Sequence, residues 1–266
     1  MNLRESSVAG MFYPKQKNVL EKQLTDFFKG LKKESKTSAV IAPHAGYEYS
    51  GKTAAVSFNA LAKAKTFILL GPNHTGLGSA ISISNADCWE TPLGKIEVDS
   101  ETRKKLLEKL SLEADDLAHL QEHSIEVQLP FLQFLFSGFK IVPISIMATN
   151  FSKLIELGNS LAEICKEENV SIIASSDFSH FLPLENAREK DLDAISFIEK
   201  LDIKGFYGRV MEKRLSICGF APITALMQYC RQKAFKKARL LKYDSSATAT
   251  KDTGNVVGYA AISFEK

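Results

Sequence analysis

The chain alternates short apolar runs rich in β-branched residues with longer segments in which apolar positions recur at three- and four-residue spacing. Runs at 39–42, 66–70, 140–146, 170–174, 239–243 and 256–264 read as strands. Segments 16–28, 52–64 behind a Ser50 or Gly51 cap, 101–110 behind Asp99 or Ser100, 151–168, 184–201, 203–214 behind Asp202, and 222–233 read as helices. Segments 80–84 and 95–98, split by Trp89 and a turn at 91–94, read as an antiparallel pair inserted among the βα units. The alternation predicts an α/β fold, a three-layer α/β/α sandwich around a mixed sheet. No internal repeat or Pro-, Gly- or Ser-rich linker divides the 266 residues, so a single domain over 1–266 is the economical organisation.

Composition narrows the function classes. Hydrophobic residues make up 45% and charged residues 24%, which is ordinary for a globular protein and unlike a disordered or membrane-spanning one. A net charge of +3 is small for a nucleic-acid binder. The basic runs at 32–33, 103–109 and 231–239 read as solvated helix faces. No apolar stretch is long enough to cross a bilayer and the N-terminus lacks an apolar signal core, so the expected location is the cytoplasm, with neither membrane nor nucleic acid as partner. Cys88, Cys165, Cys218 and Cys230 are widely spaced, which argues against a disulfide framework. Cys88, Cys165 and Cys230 are assigned to packing.

The candidate chemistry lies where strands end, since ligands collect at the carboxyl ends of strands in such sheets. Four of the five histidines sit in or just beyond apolar segments: His44, His74, His123 and His180. His44 and His74 each follow a strand, after a proline and before a nearby glycine, so both imidazoles can converge on one ion. Asp177 lies three residues before His180 and suits a pocket role or a partner to a ligand. Cys218 stands before the start of a helix at Ala221-Pro222, where free N–H groups stabilise a thiolate; a buried inert thiol is the equal alternative. His123 and Glu126 share a face that could look into the site if 124–136 is helical and kinked at Pro130, or else Glu122 and Glu126 are simply favourable first-turn charges. His119 is read as structural. Tyr47 and Tyr49 read as packing residues or pocket lining.

Six segments carry a resemblance: Ala9-Gly10-Met11-Phe12-Tyr13-Pro14, Pro43-His44-Ala45-Gly46-Tyr47, Gly71-Pro72-Asn73-His74, Glu122-His123-Ser124-Ile125-Glu126, Ser175-Ser176-Asp177-Phe178-Ser179-His180 and Ile217-Cys218-Gly219. In order, and over nearly the whole chain, they resemble the signature segments of the Memo family, which is in turn similar to the catalytic subunit of class III extradiol dioxygenases. The resemblance implies that His44, His74 and Cys218 hold a mononuclear metal, that His180 is an acid/base group, and that His123 and Asp177 belong to the same pocket. A thiolate replaces the carboxylate of the ring-opening enzymes. Iron is the first expectation from the resemblance, and the softer thiolate widens the choice to copper or zinc.

Three functions follow from this reading. The first is a non-haem metal oxidoreductase whose substrate is unknown, acting on a small molecule or peptide in a strand-end cleft. The second is a hydrolase with Cys218 or a serine as nucleophile, supported by His180 and Asp177. The third is a non-catalytic binding module that recognises a phosphorylated peptide, as the resemblance also implies. Neither oligomeric state nor substrate follows from the residues.

Overall fold

The computed structural model describes residues 2–32, 34–165 and 169–266. Its elements, in chain order, are β1 (Leu3–Arg4), α1 (Lys17–Phe28), β2 (Ala39–Ala42), α2 (Tyr47–Ala60), β3 (Thr66–Pro72), β4 (Ile81–Ile83), β5 (Cys88–Thr91), β6 (Gly94–Glu97), α3 (Ser100–Leu110), a 3-10 turn (Glu126–Gln128), α4 (Leu129–Leu135), β7 (Lys140–Ile146), α5 (Phe151–Ile164), β8 (Val170–Ser175), β9 (His180–Leu182), α6 (Leu184–Glu199), α7 (Ile203–Lys213), α8 (Phe220–Gln232), β10 (Lys237–Ser245), α9 (Ala247–Thr250) and β11 (Val256–Glu265).

The main sheet runs β10-β11-β2-β8-β3-β7-β4, with β9 paired to β11. Its central strands β2, β8, β3 and β7 are parallel neighbours. Antiparallel strands flank them on both sides. Side chains alternate across each strand, so one sequence run feeds two cores. Ile41, Ile68, Leu70 and Ile172 pack with helices α5 to α8; Val40, Phe67, Leu69 and Ile173 pack with α1, α2 and α4. This is the three-layer α/β/α sandwich around a mixed sheet that the periodicity predicts. Strand β8 enters between β2 and β3, bringing three carboxyl ends side by side. The residues beyond those ends include His44, Asp177 and His74.

Caps set several boundaries as read from the sequence. Asp99 accepts from the Thr102 N–H at 3.0 Å to open α3, and Asp202 accepts from the Gly205 N–H at 2.9 Å to open α7. Helix α2 differs: it starts at Tyr47, behind Gly46, and not at residue 52. Ser50 does not cap it, because its hydroxyl donates backwards to the Ala45 carbonyl. Gly51 therefore lies inside the helix, where a Cβ would collide with the Phe27 ring of α1. Its value is close helix approach rather than termination.

Two further expectations are corrected. Segments 80–84 and 95–98 do not pair with each other: β4 adds to the edge of the main sheet against β7, while β6 pairs with β5 in a separate sheet with β1. The tight Thr91–Gly94 reversal makes the neighbouring Cys88–Thr91 strand the local partner. Segment 124–136 is a 3-10 turn followed by α4, with Pro130 in the first turn, where its missing N–H costs nothing. It neither kinks the chain nor puts Glu126 in the pocket.

The helix read over 151–168 ends at Ile164, and 166–168 lie outside the described residues, as does Lys33 of the basic run 32–33. The run 103–109 does lie on a helix, α3. The run 231–239 passes from the end of α8 into β10, so only its first residues are helical. All four cysteines are free, and Cys88, Cys165 and Cys230 are buried, as packing residues should be. No helix among the described residues is long and apolar enough to cross a membrane.

Candidate metal centre

His44 leaves the end of β2 with its ring almost fully buried. Its orientation follows from one neighbouring hydroxyl. The Ser175 Oγ donates to the Ser124 carbonyl at 2.7 Å and accepts from Gln128 Nε2 at 2.7 Å. With its only proton committed, Ser175 can meet His44 Nδ1, 2.9 Å away, only as an acceptor. His44 is thus the Nδ1–H tautomer, and its bare Nε2 faces the Cys218 Sγ at 3.2 Å. Burial, then the neighbouring His123, His74 and His180, hold its pKa well below the usual histidine value. The ring is neutral, as a ligand must be.

His74 is oriented by another route. Glu122, on the loop before the 3-10 turn, accepts from the His74 N–H at 2.6 Å and faces His74 Nδ1 at 3.0 Å. An ionised carboxylate only accepts, so in the neutral ring the proton sits on Nδ1 and Nε2 is free. Burial alone would raise the pKa of Glu122, but the hydrogen bond and charge of His74, the Ser124 N–H and His123 outweigh it and hold the value at about 2. The ligand atoms offered by His44, His74 and Cys218 all lie within 4.8 Å of one another. That spacing suits one ion with bonds of roughly 2.0 to 2.3 Å.

Cys218 precedes α8 and is pinned from the strand side. The Asp177 N–H donates to its Sγ at 3.2 Å, and the Gly219 N–H donates to Ser176 Oγ at 3.0 Å. A Cβ at Gly219 would strike the Ser175 carbonyl and Ser176, so glycine is what allows the α8 start to seat against β8. The helix N-terminus does not make this thiol acidic. Burial, and then the charge of Asp177, push its pKa well above the usual value, against the reading of a helix-stabilised thiolate. A cation in the site would reverse this balance by pairing with the thiolate.

Asp177 lies beneath His44: its Oδ1 accepts from the His44 N–H at 2.8 Å, and its Oδ2 is 4.0 Å from His44 Nε2. Burial raises its pKa to about 6 despite the N–H groups that it accepts. His123 stacks on His74 with ring centroids 4.7 Å apart and on Phe12 at 4.5 Å. Burial lowers its pKa to about 4. His180 opens β9 and points its Nδ1 at the Ser216 carbonyl, 2.7 Å away. A carbonyl can only accept, so in the neutral ring Nδ1 carries the proton and Nε2 the lone pair. His74, His180 and Cys218 line one cavity of about 510 Å³. A larger cavity, about 720 Å³, is lined by residues such as Thr37, Val170 and Phe264, away from these side chains.

The model of the Memo-like protein family matches residues 4–263. The chain belongs to the Memo family. A MEMO1 family protein of Methanosarcina mazei is 44% identical over 269 residues, covering all of both chains. One from Aquifex aeolicus is 41% identical over 267 residues, covering 99% of this chain and all of its own. Among solved structures, an uncharacterized protein of Escherichia coli K12 superposes with a TM-score of 0.59 at 12% identity, over 85% of this chain and 98% of its own. That likeness shows a shared fold.

In this Memo-family chain the six site residues read from the sequence gather around one place. Their supports come from residues with no local sequence signal. Glu122 is the partner of His74 and not a helix-end charge. Ser175 and Gln128 fix the His44 tautomer, and Ser216 orients His180. Glu126 turns away from the site and accepts from Arg4, the Ser7 N–H and Oγ, the Val8 N–H and the Tyr13 hydroxyl. His119 is structural, fully buried and bonded through Nε2 to the Ser82 carbonyl at 3.2 Å. Tyr47 is a packing residue, its hydroxyl donating to the Val127 carbonyl.

Glu122→Gln tests the support of His74 directly. A neutral amide can offer an N–H where a carboxylate only accepts, so the His74 tautomer is no longer enforced. Metal affinity should fall roughly 10- to 100-fold with the fold retained. Isothermal titration of metal into the apo chain checks it; an unchanged affinity would show that Glu122 does not set the ligand.

Proposed function

We propose that this Memo-family chain is a metal-dependent oxidoreductase acting on a small molecule at the strand-end cleft, with one ion held by His44, His74 and Cys218. The observation that carries the proposal is the pair of enforced tautomers. Two unrelated hydrogen-bond systems each favour a bare Nε2, and ligand atoms of both rings and of the part-buried Cys218 thiol lie within 4.8 Å of one another. A pair of histidines serving only as core residues gains nothing from converging lone pairs. Two imidazoles and a thiolate suit iron first, with copper or zinc as alternatives. Bound iron or copper would supply the redox and Lewis-acid chemistry that the side chains lack.

The chain's own groups would then bind and move protons. His180, with its lone pair at Nε2 and its ring on the cavity wall, is the base best placed to take a proton from a ligand there. His123 is neutral near pH 7 and stacks on the ring of His74, where it can donate or accept one hydrogen bond. Asp177 acts through His44, holding its backbone, and is a positioning residue. The hydrolase reading has less support. Cys218 meets His44 and the Asp177 backbone, and no contact puts His180 beside it to serve as its base.

Substitutions separate the roles. His180→Ala should keep the metal and lose turnover, whereas loss of metal in that variant would make His180 a ligand. Cys218→Ser should weaken metal binding sharply, because a serine hydroxyl stays protonated at neutral pH. Cys218→Glu, which places a carboxylate opposite two imidazoles, should retain Fe(II) better than the serine variant and disfavour copper. Equal iron and copper affinities in all three proteins would remove Cys218 from the site.

A further inference from the structure

The cavity beside the candidate metal ligands has a mixed lining. Its lining joins His74, His180 and Cys218 to apolar residues from the end of α7 to the start of α8, Val210, Met211, Leu215 and Phe220 among them. Arg214 is the one residue of permanent charge on its lining. Nearby charges are matched, Arg209 with Asp193 and Lys213 with Glu212. Among the described residues Arg214 has no ion-pair partner. It also occupies the left-handed C-cap of α7, at φ 48° and ψ 49°, where glycine would sit without steric cost. The chain thus carries a long, unpaired cationic side chain on the wall of its candidate reactive cavity.

We propose that the ligand of this cavity is a small apolar molecule bearing a single carboxylate, which Arg214 pairs while the apolar body lies against Met211, Leu215 and Phe220. The proposal rests on the metal-centre reading above only for which end of the ligand reacts. A volume of about 510 Å³ fits a small molecule. The half-exposed Met211, 44% accessible, is a deformable apolar surface. One guanidinium pairs bidentately with one carboxylate, whereas recognition of a phosphate dianion draws on clusters of arginines. With no acidic residue on the lining, nothing in the cavity competes for the guanidinium.

The test uses 3-phenylpropanoate and its uncharged isostere 3-phenylpropanamide as probes. Binding is followed by heteronuclear NMR on the full chain, metal-free and metal-loaded, with metal content measured in the same samples. The acid should bind metal-free wild type at least about tenfold more tightly than the amide. In Arg214→Gly the acid should fall to the level of the amide, while Arg214→Lys keeps part of the preference. Because glycine suits the backbone at this position, loss of binding there is not loss of fold, and the amide resonance spectrum checks this. Equal binding of acid and amide to wild type, or a preference that survives Arg214→Gly, overturns the proposal. So does acid binding seen only with metal and indifferent to Arg214, which puts the carboxylate on the ion. A phosphotyrosine peptide that binds through Arg214 where the acid does not would make the cleft a peptide site, and also overturns it. Failure of the metal reading shows separately, as absence of stoichiometric metal in wild type, since the acid and amide are compared on metal-free chain.

Discussion

His44→Ala and His74→Ala chains should each emerge from dialysis folded and without stoichiometric metal. Either change removes one of three ligand atoms grouped within 4.8 Å, and two donors do not hold a transition metal against exchange with water. The loss should exceed the roughly 10- to 100-fold that follows from removing only an orienting partner. The fold should survive, because both side chains lie beyond the carboxyl ends of β2 and β3 and the apolar packing on the two faces of the sheet is left intact. In His44→Ala the Ser175 hydroxyl keeps its bonds to Ser124 and Gln128. Elemental analysis with circular dichroism on the same samples checks both halves. Native metal content in either variant would refute that ligand.

Glu126→Gln should be the most damaging single substitution outside the site, by about 3 to 5 kcal/mol. Glu126 is fully buried with Arg4 and accepts from five donors on residues 4 to 13. Removing its charge strands the Arg4 guanidinium, which also donates to the His119 and Glu122 carbonyls. At about 2 to 4 °C per kcal/mol, the melting temperature should fall by roughly 6 to 20 °C. The sign with pH is definite. Burial would raise the Glu126 pKa, but Arg4, Tyr13 and Ser7 lower it below its usual value. The pair therefore contributes fully above the unfolded carboxylate pKa, about 4.3, and loses its contribution as pH falls through the lower folded value. The gap between wild type and Glu126→Gln should be widest near neutral pH and shrink below about pH 4. A gap that stays constant down to pH 3 would mean that the damage is steric and not electrostatic. The same anchor holds Phe12 against His123, so it steadies one wall of the site.

The central strands, though not their order in the sheet, and the strand-end histidines were legible because both are local: apolar runs mark strands, and a Pro-His or Asn-His beyond one marks its carboxyl end. Cys218 was legible as a residue but not as an environment. Its place before a helix suggests an acidic thiol, and only the fold reveals the burial and the Asp177 carboxylate that reverse the shift. Pairings across long sequence separation left no local trace. Glu122 meets His74 from 48 residues away, and Arg4 meets Glu126 from 122. The spacing of Glu122 and Glu126 on either side of Ser124 looks like helix-end charge, although one orients a ligand and the other ties down the N-terminal segment. The start of α2 was misplaced for a related reason. Ser50 has the chemistry of a cap, but its hydroxyl is turned to the Ala45 carbonyl, and the helix begins where the Tyr47 N–H meets the Phe12 carbonyl at 2.8 Å.

X-ray absorption fine structure of the iron- or copper-loaded wild-type chain is the most direct measurement of the proposed centre. One sulfur scatterer at roughly 2.3 Å and two imidazole nitrogens at roughly 2.0 to 2.1 Å are expected, with the sulfur lost in Cys218→Ser. A first shell of nitrogen and oxygen alone in the wild type, unchanged by that substitution, would contradict a His44, His74 and Cys218 site.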